Sequence, residues 1–267
     1  MSLSAMKWSG SNPKQNLLLA RLAPEDYELL TRGAKVVTLK HRKRLYRQDE
    51  PINFVYFPIT CVASLLVTEG SKPSMELATV GQEGVVGASE LIQGQGAMGL
   101  NIIQIPGTAL RVDRDAFNNA IDSRPRVLEL MHRHLFALIR QVLFVASCNR
   151  RHSMKERCAR WMLLTHDRAG QDDFPLTQEF LAHMLGVRRA TVNAATGMLK
   201  KAGLIRYVRG HVTLIDRLGL ESVSCGCYQK MIQSYKSILG GFTANVISAP
   251  PGASTLSVRR RSDASAR

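Results

Sequence analysis

The sequence predicts an α+β protein in which an antiparallel barrel or sandwich precedes a largely helical second half. In residues 17–112, short apolar runs alternate with turn-forming residues, which is typical of a domain built from many short strands. From residue 122 onwards, apolar residues recur every three or four positions, which is the period of a helix. A chain of 267 residues is long enough for two modest domains with separate cores.

Five apolar runs account for the strand prediction. They contain many β-branched and aromatic residues, which pack well on a pleated surface. The runs are Val36–Leu39, Phe54–Phe57, Val62–Val67, Glu76–Val80 and Ile102–Ile105. Residues typical of turns separate them, at positions 49–51, 69–70, 94–96 and 106–107.

A long helix is expected to follow the strands. Asp122-Ser123 with Pro125 just inside is a helix-start signal. Beyond it, a 3-4 spacing of apolar residues predicts a seam between two parallel helices, with Phe136, Ile139 and Leu143 left to contact the barrel. The alternative is a single core helix packed on its own barrel. The predicted dimerisation residues are Leu128, Met131, Leu135, Leu138, Val142, Val145 and Asn149.

Further helices and a hairpin are predicted in the last third of the chain. Ser153 to Glu156 has the form of a capping box, in which the two side chains satisfy free amides at a helix start. Alternating residues around Arg209-Gly210 predict a hairpin, interpreted as a wing. Asp216 to Leu239 is helical in pattern, and residues 240–267 are interpreted as a disordered basic tail.

A helix-turn-helix is predicted between Thr177 and Thr196. Thr177 is a candidate N-cap of the first helix, and Gly186 permits the left-handed conformation of the turn. Ala182 allows the second helix to cross closely, while Val192 fills the small core between the helices. Three positional requirements met at the correct offsets make this a fairly specific signal.

The basic charge of the chain predicts a polyanionic partner. Lys and Arg number 36 against 21 acidic residues, a net charge of +15. No acidic residue occurs from Phe180 to Ile215, although a solvated helix face usually mixes both signs. Double-stranded DNA is therefore the expected partner. An anionic membrane, bound through Arg259–Arg261, is the alternative.

Several other classes of protein are not expected. No run reaches the roughly 18 to 20 apolar residues of a membrane span, and residues 1–15 lack the apolar core of a signal peptide. We therefore expect a cytoplasmic protein that has no membrane partner. Only His41 of the seven histidines lies in the barrel region, so no metal, no cofactor and no enzymatic activity are predicted.

The five cysteines do not form the pattern of a secreted disulfide framework. Cys61 and Cys158 are interpreted as core residues. Cys225 and Cys227 allow two interpretations. Vicinal thiols can bind a soft metal or become oxidised, but two small residues on a packed helix is the preferred interpretation.

The segment from Leu176 to Tyr207 resembles the DNA-binding domain of the Crp/Fnr family of bacterial transcription regulators, and the order of elements is similar over residues 16–228. The resemblance implies a jelly-roll barrel of the cyclic-nucleotide-binding type, a homodimer and a palindromic operator read in two successive major grooves. RNA polymerase is then a candidate protein partner. The implied domains are an effector barrel (16–121), a dimerisation helix (122–152), a winged helix-turn-helix (153–228) and the tail (240–267).

The resemblance also implies residue roles. Arg189 takes the position of the family's base-reading arginine, which can bind guanine O6 and N7, and Thr191 takes a position suited to phosphate. Ala190 and Ala194 stand where the family has Glu and Arg, so we expect a different half-site. The candidate DNA-binding residues are Thr177, Gln178, Arg188, Arg189, Thr191, Asn193, Thr196, Lys200, Arg209 and His211.

The barrel lacks the side chains that would bind a cyclic nucleotide. Gly81–Gly87 resembles the glycine pattern of the nucleotide loop, but the family's Gly-Glu pair is missing after it. No Lys or Arg occurs between Lys72 and Arg111, so a phosphate would find no charge-assisted donor there. Cyclic AMP and GMP are therefore not expected, and the effector is unknown. The alternative function is a small-molecule sensor or barrel enzyme whose C-terminal domain mediates protein contacts.

Overall fold

The computed structural model of the chain describes residues 11–69 and 72–239. The predicted tail at 240–267, including Arg259–Arg261, lies outside the described residues. Within the described ranges, no helix combines the length and the apolar character that crossing a membrane requires.

Seven strands form two antiparallel sheets in the first half of the chain. One sheet has the order β1-β7-β3 and the other the order β2-β6-β4-β5. All five predicted runs lie within strands, whereas β2 and β7 were not predicted. The strands are β1 (Lys35–Leu39), β2 (Arg44–Tyr46), β3 (Phe54–Pro58), β4 (Val62–Glu69), β5 (Lys72–Val80), β6 (Leu100–Ile105) and β7 (Gly107–Asp113).

Helices flank the sheets and then dominate the chain, which confirms the α+β class. Three shorter helices are α1 (Pro24–Leu30), α2 (Ala88–Ile92) and α3 (Arg114–Ser123). They are followed by the long helix α4 (Pro125–Arg151) and by α5 (Met154–Ala169). The capping box of α5 is confirmed, because Ser153 and Glu156 each accept a backbone N–H bond of the other.

The start of α4 differs from the prediction in one respect. Asp122 and Ser123 do not cap α4, because they belong to the last turn of α3. Pro125 is the first residue of α4 as predicted, and it disfavours helical geometry in the residue before it. Arg124 accordingly has an extended conformation, with φ −128° and ψ 92°, and separates the two helices.

The last third contains a third, small sheet and four helices that follow α5. The sheet has the order β8-β10-β9, with strands β8 (Asp173–Pro175), β9 (Ile205–Val208) and β10 (His211–Leu214). The predicted helical segment from Asp216 to Leu239 is two helices, and the second packs along α4. The helices after α5 are α6 (Gln178–Leu185), α7 (Arg189–Lys201), α8 (Arg217–Val223) and α9 (Cys227–Leu239).

The structure divides the predicted seam of α4, in which Leu128, Leu135, Val142 and Asn149 are only half-buried. Met131, Leu138 and Val145, predicted to contact a partner, are buried within the chain because β5 and α9 pack against α4. The residues predicted to contact the barrel are instead the exposed ones. Their exposed fractions are 55% for Phe136, 47% for Ile139 and 63% for Leu143. The solvent-exposed stripe is thus shifted by one residue from the predicted seam.

Candidate nucleic-acid interface

The first helix of the helix-turn-helix begins and ends as predicted. The Thr177 hydroxyl accepts a hydrogen bond from the backbone N–H of Phe180 at 3.1 Å, which caps α6. Gly186 follows α6 with φ 64°, in the left-handed region. The next amide, of Val187, donates to the carbonyl of Ala182 at 3.0 Å, so the free carbonyls at the helix end are satisfied.

A compact apolar core sets the angle between α6 and α7. Leu181, Val192 and Leu199 are completely buried, and Leu185 and Ala195 are nearly so. Because Val192, Ala195 and Leu199 occupy the inner side of α7, the opposite side of that helix is exposed. This arrangement is the one by which a helix-turn-helix presents its second helix to a groove.

The exposed side of α7 carries most of the predicted contact residues. Arg188 precedes the helix, and no side chain caps its first turn, so the first amides and the positive end of the helix dipole are open to an anion. The predicted residues that are exposed here are Arg188, Arg189, Thr191, Asn193 and Lys200. Ala190 and Ala194 lie on the same exposed side.

Thr196 is a correction to the predicted interface. Its side chain is only 2% exposed, and its hydroxyl donates to the carbonyl of Val192 at 2.9 Å. Thr196 therefore belongs to the inner side of α7 and cannot reach a base. Lys201 and Arg206 are exposed cations that were not among the candidates, although the absence of acidic residues around them is visible in the sequence.

The predicted wing is the hairpin of β9 and β10. Its two turn residues, Arg209 and Gly210, have φ values of 46° and 79°. Two consecutive left-handed residues match the twist of the flanking strands, and this geometry exposes Arg209 at the tip.

The other wing candidate, His211, is held by a neighbouring strand. His211 Nδ1 lies 3.1 Å from Asp173 Oδ2. A hydrogen bond from the Thr213 hydroxyl and the contact with His211 together lower the pKa of Asp173. His211 is exposed, but this contact with a carboxylate competes with any phosphate.

Helix α6 also packs against the barrel. The Phe180 ring lies 5.4 Å from the His41 ring, and the Arg42 guanidinium lies 5.5 Å from the Phe180 ring centre. Gly186 lies against the side chain of Met75 in β5. The helix-turn-helix is therefore packed directly on the barrel.

A buried polar network connects the barrel to α5. Glu76 accepts hydrogen bonds from Trp161 Nε1 at 2.9 Å and from Ser64 Oγ at 2.7 Å. Burial raises the pKa of Glu76 to about 7, although Ser64 and the charge of Arg160 act in the opposite direction. The same Ser64 hydroxyl lies 2.8 Å from Gln104 Oε1, and its single proton can be donated to only one of these two acceptors at a time.

The glycine loop between β5 and α2 makes a second connection to α5. Glu83 in this loop forms a buried ion pair with Arg168. His134 of α4 contacts the backbone of Val85 in the same loop, and burial lowers the pKa of His134. Among the described residues, Arg168 is the only arginine that forms an ion pair with this loop. Its charge is therefore already neutralised by Glu83.

The cysteines near the C-terminus do not match the preferred interpretation fully. Cys227 begins α9, but Cys225 lies in the turn before that helix. Both are buried beside Cys148, and the Cys225 thiol lies 3.4 Å from the Cys148 sulfur. That hydrogen bond, with help from Arg160, lowers the pKa of Cys148 to about 5.

The arrangement of these elements is similar to that of known regulators. Residues 156–223 match the family model of the Crp-like helix-turn-helix domain. FixK2 from Bradyrhizobium japonicum is 20% identical with a TM-score of 0.61, over 72% of this chain and 98% of that chain. A putative Crp/Fnr regulator from Eubacterium rectale is 14% identical with a TM-score of 0.59, over 79% and 98%.

A third similar structure is the c-di-GMP responsive global regulator CLP from Xanthomonas campestris. It is 15% identical with a TM-score of 0.55, over 72% of this chain and 99% of that chain. No curated protein matches the chain. The predicted helix-turn-helix and the predicted Crp/Fnr-type fold, with its cyclic-nucleotide-binding-like domain, are confirmed.

Proposed function

Because residues 156–223 form a Crp-like helix-turn-helix domain within the fold of Crp/Fnr regulators, we propose that this protein regulates transcription by binding a palindromic operator as a homodimer. Two α7 helices, one from each protomer, would enter successive major grooves on one side of the DNA. The proposal involves no catalysis. RNA polymerase stays a candidate protein partner.

The single observation that carries the proposal is the exposed cationic side of α7. Arg188, Arg189, Lys200 and Lys201 are all exposed, and the stretch from Phe180 to Ile215 contains no carboxylate. Each phosphate that these side chains neutralise releases a counterion, so binding should weaken steeply as salt increases.

Base reading is assigned to Arg189. It lies in the exposed first turn of α7, where a guanidinium can make two hydrogen bonds to guanine in the major groove. Ala190 and Ala194 offer no polar group to a base on the same side of the helix. The half-site is therefore expected to differ from that of regulators with Glu and Arg at these positions.

Dimerisation is assigned to the exposed apolar stripe of α4, which consists of Phe136, Ile139 and Leu143. These residues follow the 3-4 spacing of a two-helix seam. Exposing three large apolar side chains in one row to water is unfavourable. A second copy of the chain that covers them removes this apolar surface from water and so stabilises a dimer.

Cyclic AMP is not the proposed effector. The groove between α4 and the sheet of β4 and β5 has a volume of about 400 Å³ and is lined by apolar residues and Gln48. A cyclic phosphate would find no cation in this lining. The lining residues are Gln48, Leu65, Leu66, Val67, Leu77, Met98, Leu135, Leu138, Ile139, Val142 and Leu143.

Fluorescence anisotropy on two duplexes tests the proposal. One duplex is random, and the other is selected from a random pool by the wild-type protein. Arg189→Ala should abolish the preference for the selected duplex while leaving appreciable binding to random DNA, because phosphate contacts carry no sequence information. Arg32→Ala, an exposed arginine of the barrel domain, is the matched control and should change neither affinity.

Two outcomes would contradict parts of the proposal. Equal loss on both duplexes would show that Arg189 does not read bases. No salt-dependent binding to any duplex would favour the second candidate, a sensor or barrel enzyme whose C-terminal domain binds proteins.

A further inference from the structure

Four potential metal ligands meet where the long helix ends. Cys148 lies in the last turn of α4, and His152 directly follows that helix. Cys225 and Cys227 come from the turn before α9 and from its first residue. Taking one ligand atom from each residue, all four atoms lie within 4.8 Å of one another.

The distances match the size of a single tetrahedral ion. Cys148 Sγ is 3.4 Å from Cys225 Sγ, and Cys227 Sγ is 3.7 Å from His152 Nδ1. With zinc–sulfur bonds of about 2.3 Å, tetrahedral geometry separates two sulfur ligands by about 3.8 Å. Because all the separations lie within 4.8 Å, displacements of no more than about 1 Å would bring the four atoms around one centre.

The charges around the cluster favour anionic sulfur. Arg157 and Arg160 are buried on α5, and the Nε atom of each has no hydrogen-bond partner. Neither arginine forms a salt bridge with a carboxylate in the part of the chain that the structure describes. Three thiolates and a neutral imidazole around a divalent ion carry one net negative charge, which a buried guanidinium can balance.

We propose that Cys148, His152, Cys225 and Cys227 bind one thiophilic divalent cation, Zn²⁺, in a closed tetrahedral site. Three sulfur ligands and one imidazole suit zinc, and four protein ligands leave no open position for a substrate. The site is therefore structural. It fastens α9 to the junction between α4 and α5, where the long helix meets the helix-turn-helix domain. The proposed metal site does not require that the protein bind DNA.

Titration of the reduced, metal-free, full-length protein with Co²⁺ tests the site. We expect one Co²⁺ per chain, the intense absorption of thiolate-to-cobalt charge transfer, and its displacement by an equimolar amount of Zn²⁺. Cys227→Ala should lose most of that absorption. Cys61→Ala removes a buried cysteine in the barrel and should bind Co²⁺ as the wild type does.

The wild-type titration keeps the proposal testable even if the alanine variant fails to fold, which circular dichroism would detect. Reduced, folded wild-type protein that binds no Co²⁺ overturns the proposal. Undiminished binding by folded Cys227→Ala overturns it as well. So does a Cys148–Cys225 disulfide, found by mass spectrometry of peptides from protein purified without oxidant.

Discussion

Arg168 and Glu83 form an ion pair in which Nε and Oε1 are 2.6 Å apart and both side chains are 1% exposed. Arg168 belongs to α5 and Glu83 to the glycine loop of the barrel, 85 residues away in sequence. Burial disfavours the charged guanidinium, but Glu83 outweighs it and the pKa of Arg168 is raised. The loop is thereby joined to the helix on which the helix-turn-helix domain is built.

Removing only one partner of this ion pair should destabilise the folded protein. Glu83→Gln leaves the Arg168 charge buried without a counterion, and we expect a loss of about 3–5 kcal/mol in the free energy of unfolding. Urea denaturation measures it. The double variant Glu83→Gln, Arg168→Met removes the stranded charge and should recover most of the loss. A double variant less stable than the single one would contradict this account.

The stability of the chain should depend on the protonation of Glu76. Its pKa is raised to about 7 in the folded protein, from an ordinary value of 4.5. The folded chain then holds a proton that the unfolded chain releases, so the stability from this group is complete below about pH 4.5 and is lost as the pH rises through about 7. The loss should approach about 3 kcal/mol.

Glu76→Gln tests this dependence, because the amide oxygen can still accept from Trp161 and the group cannot ionise. Wild type and variant should be compared by urea denaturation at several pH values. We expect their difference in stability to shift in favour of the variant as the pH rises from 5 to about 8. A difference that does not vary with pH would show that Glu76 is not protonated in the folded state.

The exposed stripe of α4 should determine the oligomeric state. Leu143→Glu places a charge at the C-terminal end of the exposed stripe, and we expect at least about a tenfold weaker dimer because a buried unpaired carboxylate is unfavourable. Sedimentation equilibrium measures the change. Gln229→Glu, on the exposed side of α9, is the control and should leave the dimer intact. A wild-type monomer, or a dimer unaffected by Leu143→Glu, would contradict the assignment.

The wing offers a test in which stability and DNA affinity change in opposite directions. Arg209 has φ 46°, which Asn tolerates better, and Asn-Gly is a preferred pair in this kind of hairpin turn. Arg209→Asn should therefore stabilise the fold by up to about 1 kcal/mol, because part of the left-handed backbone strain is relieved. It should also weaken binding to random DNA and reduce the salt slope by about one, because a phosphate contact is lost.

Arg206→Asn is the matched variant for the wing, since Arg206 is exposed on β9 but has no positive φ. It should weaken DNA binding without stabilising the fold. Thermal unfolding and anisotropy, measured on the same samples, separate the two effects. If Arg209→Asn left affinity and salt slope unchanged, the wing tip would not contact phosphate.

Much of the helix-turn-helix was predictable because its signals are local. The cap at Thr177, the left-handed Gly186 and the hairpin at Arg209-Gly210 depend on groups within a few residues, so their chemistry is visible in a short window. Thr196 shows the limit of this approach. A small polar residue in a helix looks like a contact residue until the packing shows that it is buried and that its hydroxyl donates to the backbone carbonyl of Val192, four residues earlier.

What only the tertiary structure decided concerns groups that are distant in sequence. The heptad pattern of α4 contains two adjacent apolar stripes, and the packing of β5 and α9 determines which one remains exposed. In the same way, Cys148 meets Cys225 across 77 residues, and Glu83 meets Arg168 across 85. By itself, the sequence determined the fold class, the two-helix motif and its positive charge. Periodicity and capping are short-range properties, whereas the partner of a side chain depends on how the whole chain folds back on itself.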